Sequence, residues 1–180
     1  MTRRKMLLLT TGATVLGLAA LVGFADHNAI FAGDDDESQE ALIKTLGDAK
    51  INLQQGLAAA AQEGQPISAK FEVDDGKFQL SVYTVKDGKF SELLVDYADG
   101  KVIKSEPITK GDDLAAANWQ WAAMATATTS LKDAVDKAVA PLANLRAVSV
   151  VPDLKGDGHP VASIVLLDGE HFKTFQRPLD

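Results

Sequence analysis

The triplet Asp-Gly-Lys occurs at Asp75, Asp87 and Asp99, each twelve residues after the one before. Asp-Gly between alternating apolar runs is a strong hairpin signal, because Gly accepts the positive φ that a tight turn demands. The stretches between the triplets alternate as strands do. Ile67, Ala69, Phe71 and Val73 fall on one side, then Phe78, Leu80 and Val82, then Leu93, Val95 and Tyr97, and "KVIKSEPI" closes the series. Strand plus turn at a fixed period reads as an antiparallel meander. A ligand loop is a poorer account, since each triplet sets a lysine cation beside its only carboxylate.

Helical spacing brackets this meander. A short helix is expected from Ser38 to Leu46, with Leu42, Ile43 and Leu46 on one side. "KINLQQGLAAAAQEG" then places Asn52 and Gln55 in capping-box spacing ahead of Leu53, Leu57 and Ala60. That helix should stop by Gly64, before Pro66. After the strands, "PITKGDD" reads as a linker into an Ala-rich helix over Asp112 to Ala127. There Leu114, Ala117, Trp121 and Met124 share a face and Trp119 points elsewhere. Ser130 and Asp133 repeat the capping-box spacing before "LKDAVDKAVAPL".

A shift of 78 residues superimposes the second part on the first. Leu53 falls on Leu131, Leu57 on Val135 and Ala60 on Ala138; continued without a gap, Ile67 falls on Leu145 and Val73 on Val151. "ASIVLL" and "LDGEHF" echo "LSVYTV" and "VKDGKF". The expected fold class is therefore α+β: two repeated units, each an α-helix packed on a three- to four-stranded antiparallel β-meander. The first unit spans 38–108, a connecting helix 109–128, and a shortened second unit 129–180. "AVSVV" and "ASIVLL" are apolar on both faces, so both faces of the second meander should be covered.

The N-terminus carries a different message. Arg3, Arg4 and Lys5 precede an apolar run, and small residues allow cleavage near Ala25 or Ala32. This is the layout of a secretory signal peptide and acidic leader over residues 1–32. Paired arginines also fit a twin-arginine signal. Uncleaved, Met6 to Ala25 would be a membrane anchor, the one expected route to a bilayer. Cleavage after Ala25 removes three cations and no acid, leaving 15 basic against 25 acidic residues and a net charge of −10. Such a chain is repelled by phosphates, so nucleic acid is excluded as an expected partner. With no cysteine, thiol catalysis, disulfides and thiolate metal sites are excluded outright.

Residues 49–108 resemble a PepSY domain, the module found in propeptides of secreted metallopeptidases and in other exported bacterial proteins. The capped helix "INLQQGLAAAA", the strand "ISAKFEV" and the closing "VDYADGKVI" carry the resemblance, and residues 129–180 are similar to a degenerate second copy without the final strand. The resemblance implies a non-catalytic periplasmic or secreted module with a regulatory or inhibitory role toward a protein partner such as a peptidase. No peptidase domain follows in this chain, so such a role would act in trans.

Little else in the sequence reads as chemistry. His27, His159 and His171 have no zinc-site spacing. Asp153 and Asp157 in "DLKGDGHP" match parts of a calcium loop, but Lys155 occupies a position that needs an oxygen ligand. No nucleophile elbow or phosphate loop is present, and no pair of carboxylates is marked as special. No catalytic residue, metal or cofactor is expected. The partner-binding residue expected is Trp119, because a tryptophan off the apolar stripe of its helix is either an interface anchor or buried against the second meander. The expected function is an exported binding module for a protein partner. A small-ligand or metal-binding envelope sensor, and a structural protein that self-associates as a homodimer, are the alternatives.

Overall fold

The first two Asp-Gly pairs close two-residue turns. Both residues of each pair have positive φ, 47° and 72° at Asp75 and Gly76, 51° and 71° at Asp87 and Gly88, as the mirror-image hairpin turn requires. The third pair differs. Only Gly100 has positive φ, and the turn is organised by Asp96, whose Oδ1 accepts from the Ala98 N–H (2.7 Å) and whose carbonyl accepts from the Gly100 N–H (2.8 Å).

The computed structural model describes residues 36–141 and 145–180. The expected signal peptide and leader at 1–32 lie outside them. The elements are α1 (Asp36–Leu46), α2 (Leu53–Ala60), β1 (Gln65–Asp74), β2 (Lys77–Lys86), β3 (Lys89–Val95), β4 (Val102–Ile108), α3 (Gly111–Thr126), α4 (Leu131–Val139), β5 (Arg146–Leu154), β6 (Pro160–Asp168) and β7 (His171–Pro178). The protein is α+β, with four helices and one antiparallel sheet of seven strands in the order β4-β3-β2-β1-β5-β6-β7.

The two expected meanders thus meet edge to edge in one sheet. β1 and β5 would otherwise each present an unpaired row, and their pairing removes both edges at once. The join is short: Ala69 opposite Val150 and Lys70 opposite Ser149. Bulges flank it, at Ile67 where β1 pairs β2 and at Val148 where β5 pairs β6. A gapless shift does not carry through this region. α2 and α4 start 78 residues apart, at Leu53 and Leu131, whereas β1 and β5 start 81 apart, at Gln65 and Arg146. The link from α4 to β5 is the longer one, and Leu145 lies before β5 rather than opposite Ile67.

Both expected caps form, with the reciprocal capping box complete only at α2. Asn52 Oδ1 accepts from the Gln55 N–H at 2.8 Å and Gln55 Oε1 returns the contact at 2.9 Å, a complete capping box. Ser130 caps α4 through the Asp133 N–H. Leu53, Gly56, Leu57 and Ala60 of α2 are buried, as are Leu131, Ala134, Val135 and Ala138 of α4. Gly56 permits the closest approach of helix to sheet: a Cβ there would stand 2.4 Å from Leu80 Cδ2.

α2 and α4 pack side by side on one face, that of Leu80, Val82, Val150 and Ile164. α3 alone covers the opposite face of β1, β5 and β6. Strands β5 and β6 of the second meander are therefore covered on both faces, as their apolar pattern predicts. Two long-range contacts clamp the seam. The Arg146 guanidinium donates to the carbonyls of Leu46 (2.7 Å), Ala49 (3.1 Å) and Ile51 (3.0 Å) and lies 5.5 Å from the centre of the Phe71 ring. Ser68 on β1 donates to Gln120 Oε1 on α3 at 2.7 Å, with both residues buried.

Candidate interaction surface

Trp119 is 58% exposed, so it is not buried against the sheet. Its indole Nε1–H donates to Asp153 Oδ1 on β5 at 2.6 Å. The bond fixes the ring at the surface instead of leaving it to swing. Along the same helix Ala117, Gln120, Ala123 and Met124 are buried and Leu114 and Trp121 are half-buried, which places the apolar stripe where its spacing put it.

Asp153 and Asp157 are both occupied within the hairpin they belong to. Asp153 Oδ1 also accepts from the Leu154 N–H, and Asp157 Oδ1 accepts from the His159 N–H at 3.1 Å. Among the described residues no group of three or more His, Asp or Glu side chains is placed to hold a metal ion. His159 pairs with Asp180 (2.5 Å), a contact that raises the imidazole pKa and lowers that of the carboxylate. His171 opens β7 and is exposed.

The sheet face left open beside α3 holds a polar cluster that the sequence reading missed. Lys70 pairs with Glu72. Glu72 Oε1 accepts from Ser81 Oγ (2.7 Å) and from Gln79 Nε2 (3.2 Å), and Gln79 also reaches Ser81. One strand further out, Tyr83 Oη donates to Glu92 Oε1 at 3.3 Å. Burial pushes the Glu92 carboxyl pKa up, and the negative charge of Glu72 adds to the shift. Burial also raises the Tyr83 phenol, assisted by the charges of Glu92, Glu72 and Asp113. The signal was present in the turns: each two-residue Asp-Gly loop fixes register, which sets Gln79 opposite Glu72 and Tyr83 opposite Glu92. The chemistry this arrangement offers is a half-buried carboxylate that takes up a proton readily.

The two outer edges differ sharply. β4 carries an exposed bulge at Ile103, an internal Pro107 and a mutually paired Lys104 and Glu106, the usual devices that stop an edge from adding strands. β7 pairs with β6 over its whole length without a bulge. Gly169, at φ 62°, and Glu170 form a two-residue turn, which makes Asp168 and His171 a hydrogen-bonded pair. Counted from there, Lys173, Phe175 and Arg177 turn their main-chain groups toward β6, while Thr174 and Gln176 turn theirs outward. Pro178 falls in the outward set, where a missing N–H costs no ladder bond.

An open groove of ≈ 350 Å³ lies between the ends of α2 and α3 and the start of α4, lined by Leu57, Ala61, Pro66, Met124, Ala127 and Leu131 among others. Among the described residues no helix is long and apolar enough to cross a membrane. No family model, curated protein or solved structure matches the chain.

Proposed function

We propose that this chain is an exported, non-catalytic, PepSY-like binding module that holds a protein partner, of which a peptidase is one case, by adding a strand of the partner to its open sheet edge. The observation that carries this reading is the outward main-chain row of β7 at Thr174 and Gln176, on a strand without the bulge and internal proline that blunt β4. Main-chain bonding at an edge gives affinity without any catalytic group, and the regulatory effect is occlusion. The exposed Trp119 is a second contact on the same half of the molecule.

The two helix-plus-meander segments belong to this proposal as tandem copies of one unit. Supporting it are the four buried positions that match between α2 and α4: Leu53 with Leu131, Gly56 with Ala134, Leu57 with Val135, and Ala60 with Ala138. Among the described residues no strand lies beside β7, the third strand of the second segment, whereas the third strand of the first is covered by β4.

The test is affinity capture from an envelope extract of the native organism with the native chain and a Thr174→Pro variant side by side. Recovery of one stoichiometric protein by the native chain and its loss with the variant is the expected result. Equal recovery by both removes the edge from the mechanism. Recovery of the bait alone removes partner binding, and sedimentation of the purified chain then decides whether self-association replaces it.

A further inference from the structure

We infer that the strand β7 accepts is an extended acidic segment, anchored by a carboxylate on Arg177; this deepens the edge-binding reading above and rests on it. β7 carries His171, Lys173 and Arg177 and no acidic residue, in a chain whose net charge is −7. Lys173 is already paired, with Asp168 at 2.5 Å. Arg177 is not: among the described residues it has no ion pair, and its Nε is buried without a hydrogen-bond partner. The buried Nε itself is out of an added strand's reach, but among the described residues no hydrogen bond or ion pair engages the terminal nitrogens either, and a planar guanidinium is the group best matched to a carboxylate.

Geometry joins these facts. Lys173, Phe175 and Arg177 alternate onto one face of β7, while Thr174 and Gln176, between them, direct their main-chain groups outward. A strand laid along that row puts its own alternate side chains within reach of the same face. Its acidic residue then lies beside Arg177. The same charges argue against a second copy as the occupant. An antiparallel β7–β7 pairing brings Lys173 and Arg177 of one chain against those of the other, and like charges across strands destabilise the pair.

The experiment compares two fluorescein-labelled eight-residue peptides, one alternating Glu and Thr, the other alternating Lys and Thr, binding to the full chain at physiological salt. Anisotropy should show the Glu peptide binding and the Lys peptide not. That preference runs against the net charge of the protein, so general electrostatic attraction cannot imitate it. Arg177→Gln should weaken the Glu peptide about tenfold, the equivalent of one charge-assisted contact. Thr174→Pro should abolish it, with circular dichroism confirming that the sheet is intact. Arg177→Glu, which leaves the edge untouched, should transfer the preference to the Lys peptide.

Equal binding of both peptides, still lost with Thr174→Pro, overturns the acidic assignment and leaves edge binding standing. Binding of the Glu peptide that survives Thr174→Pro overturns both. Failure of either peptide to bind overturns the acidic assignment, and the capture experiment then judges edge binding separately. A dimer that dissociates in the Thr174→Pro variant replaces the acidic strand with a second copy.

Discussion

The two ends of the sheet answer the same physical demand in different ways. Strands β5 and β6 are covered on both faces, by α4 on one and α3 on the other, and their buried residues are almost all apolar. Strands β2 and β3 have α2 on one face, and on the other a network of Lys70, Glu72, Gln79, Ser81, Tyr83 and Glu92. A helix excludes water from one half, and hydrogen bonds between half-buried polar groups serve in its place on the other. With a single helix available between the meanders, the side it covers is set by the seam: α3 lies over β1 and β5, where two bulges leave the ladder thin.

If the seam is the weak line between the halves, removing its clamp should produce the largest loss. Arg146→Ala deletes three bonds to main-chain carbonyls and the contact over Phe71. The expected cost is about 3 kcal/mol in urea unfolding, because hydrogen bonds made by a charged donor are the strong ones. Arg146→Lys should recover only part of it, since one ammonium cannot serve carbonyls placed for a fork. A loss near zero would mean that helix packing, rather than this clamp, unites the halves.

The second contact across the seam is smaller and can be isolated. Ser68→Ala, Gln120→Leu and the double substitution form a cycle whose coupling should be about 1 kcal/mol, the worth of one buried neutral hydrogen bond. Zero coupling would show that α3 is held by its apolar stripe alone.

Gly56 and Ala134 sharpen the comparison of the two helices. Ala134→Gly should cost about 1 kcal/mol, the ordinary helix penalty. The reverse change at Gly56 would ordinarily gain that amount. Here the added methyl meets the fully buried Leu80, and overpacking of this kind costs about 1–3 kcal/mol, so Gly56→Ala should also destabilise. Opposite signs in thermal unfolding would mean that α2 sits less tightly on its strands than α4 does.

Local features of this fold were legible in the sequence because local chemistry sets them. Asp-Gly turns, the Asn52–Gln55 box and the stripe of α3 each depend on residues within a few positions of one another. The two-sided apolarity of β5 and β6 even called for cover on both faces, without naming the element that supplies it. The seam was not legible. Nothing near Ala69 or Val150 names the other as its neighbour, and Arg146 reaches carbonyls about a hundred residues away. Edge status follows from strand order, so the contrast between β4 and β7 was hidden for the same reason. Trp119 was placed on the correct side of its helix, but its Asp153 partner depends on how α3 crosses β5. The Glu72–Glu92 cluster is the instructive omission, because register counted from two turns would have revealed it.

That cluster gives the smallest effect and the one most specific to the open half. Burial raises the Glu92 pKa above its ordinary value of 4.5, so the folded protein holds a proton there more tightly than the unfolded chain does. The stabilisation this brings is fully present below the ordinary value and is lost as pH rises through the raised one. Above that raised value the ionised Glu92 is therefore a burden, set in a half-buried site near the charge of Glu72. Glu92→Gln keeps an oxygen to accept from Tyr83 and removes the charge, so its melting temperature should exceed that of the native chain at pH 7. At pH 4, where the native carboxyl is protonated, the difference should shrink toward zero. His159 supplies an opposing case on the covered half. Its pKa is raised by an exposed contact with Asp180, so His159→Gln should lower stability slightly below pH 6 and not at pH 8. A Glu92→Gln difference that is the same at both pH values would mean the polar network tolerates the charge, leaving the two halves alike in that respect.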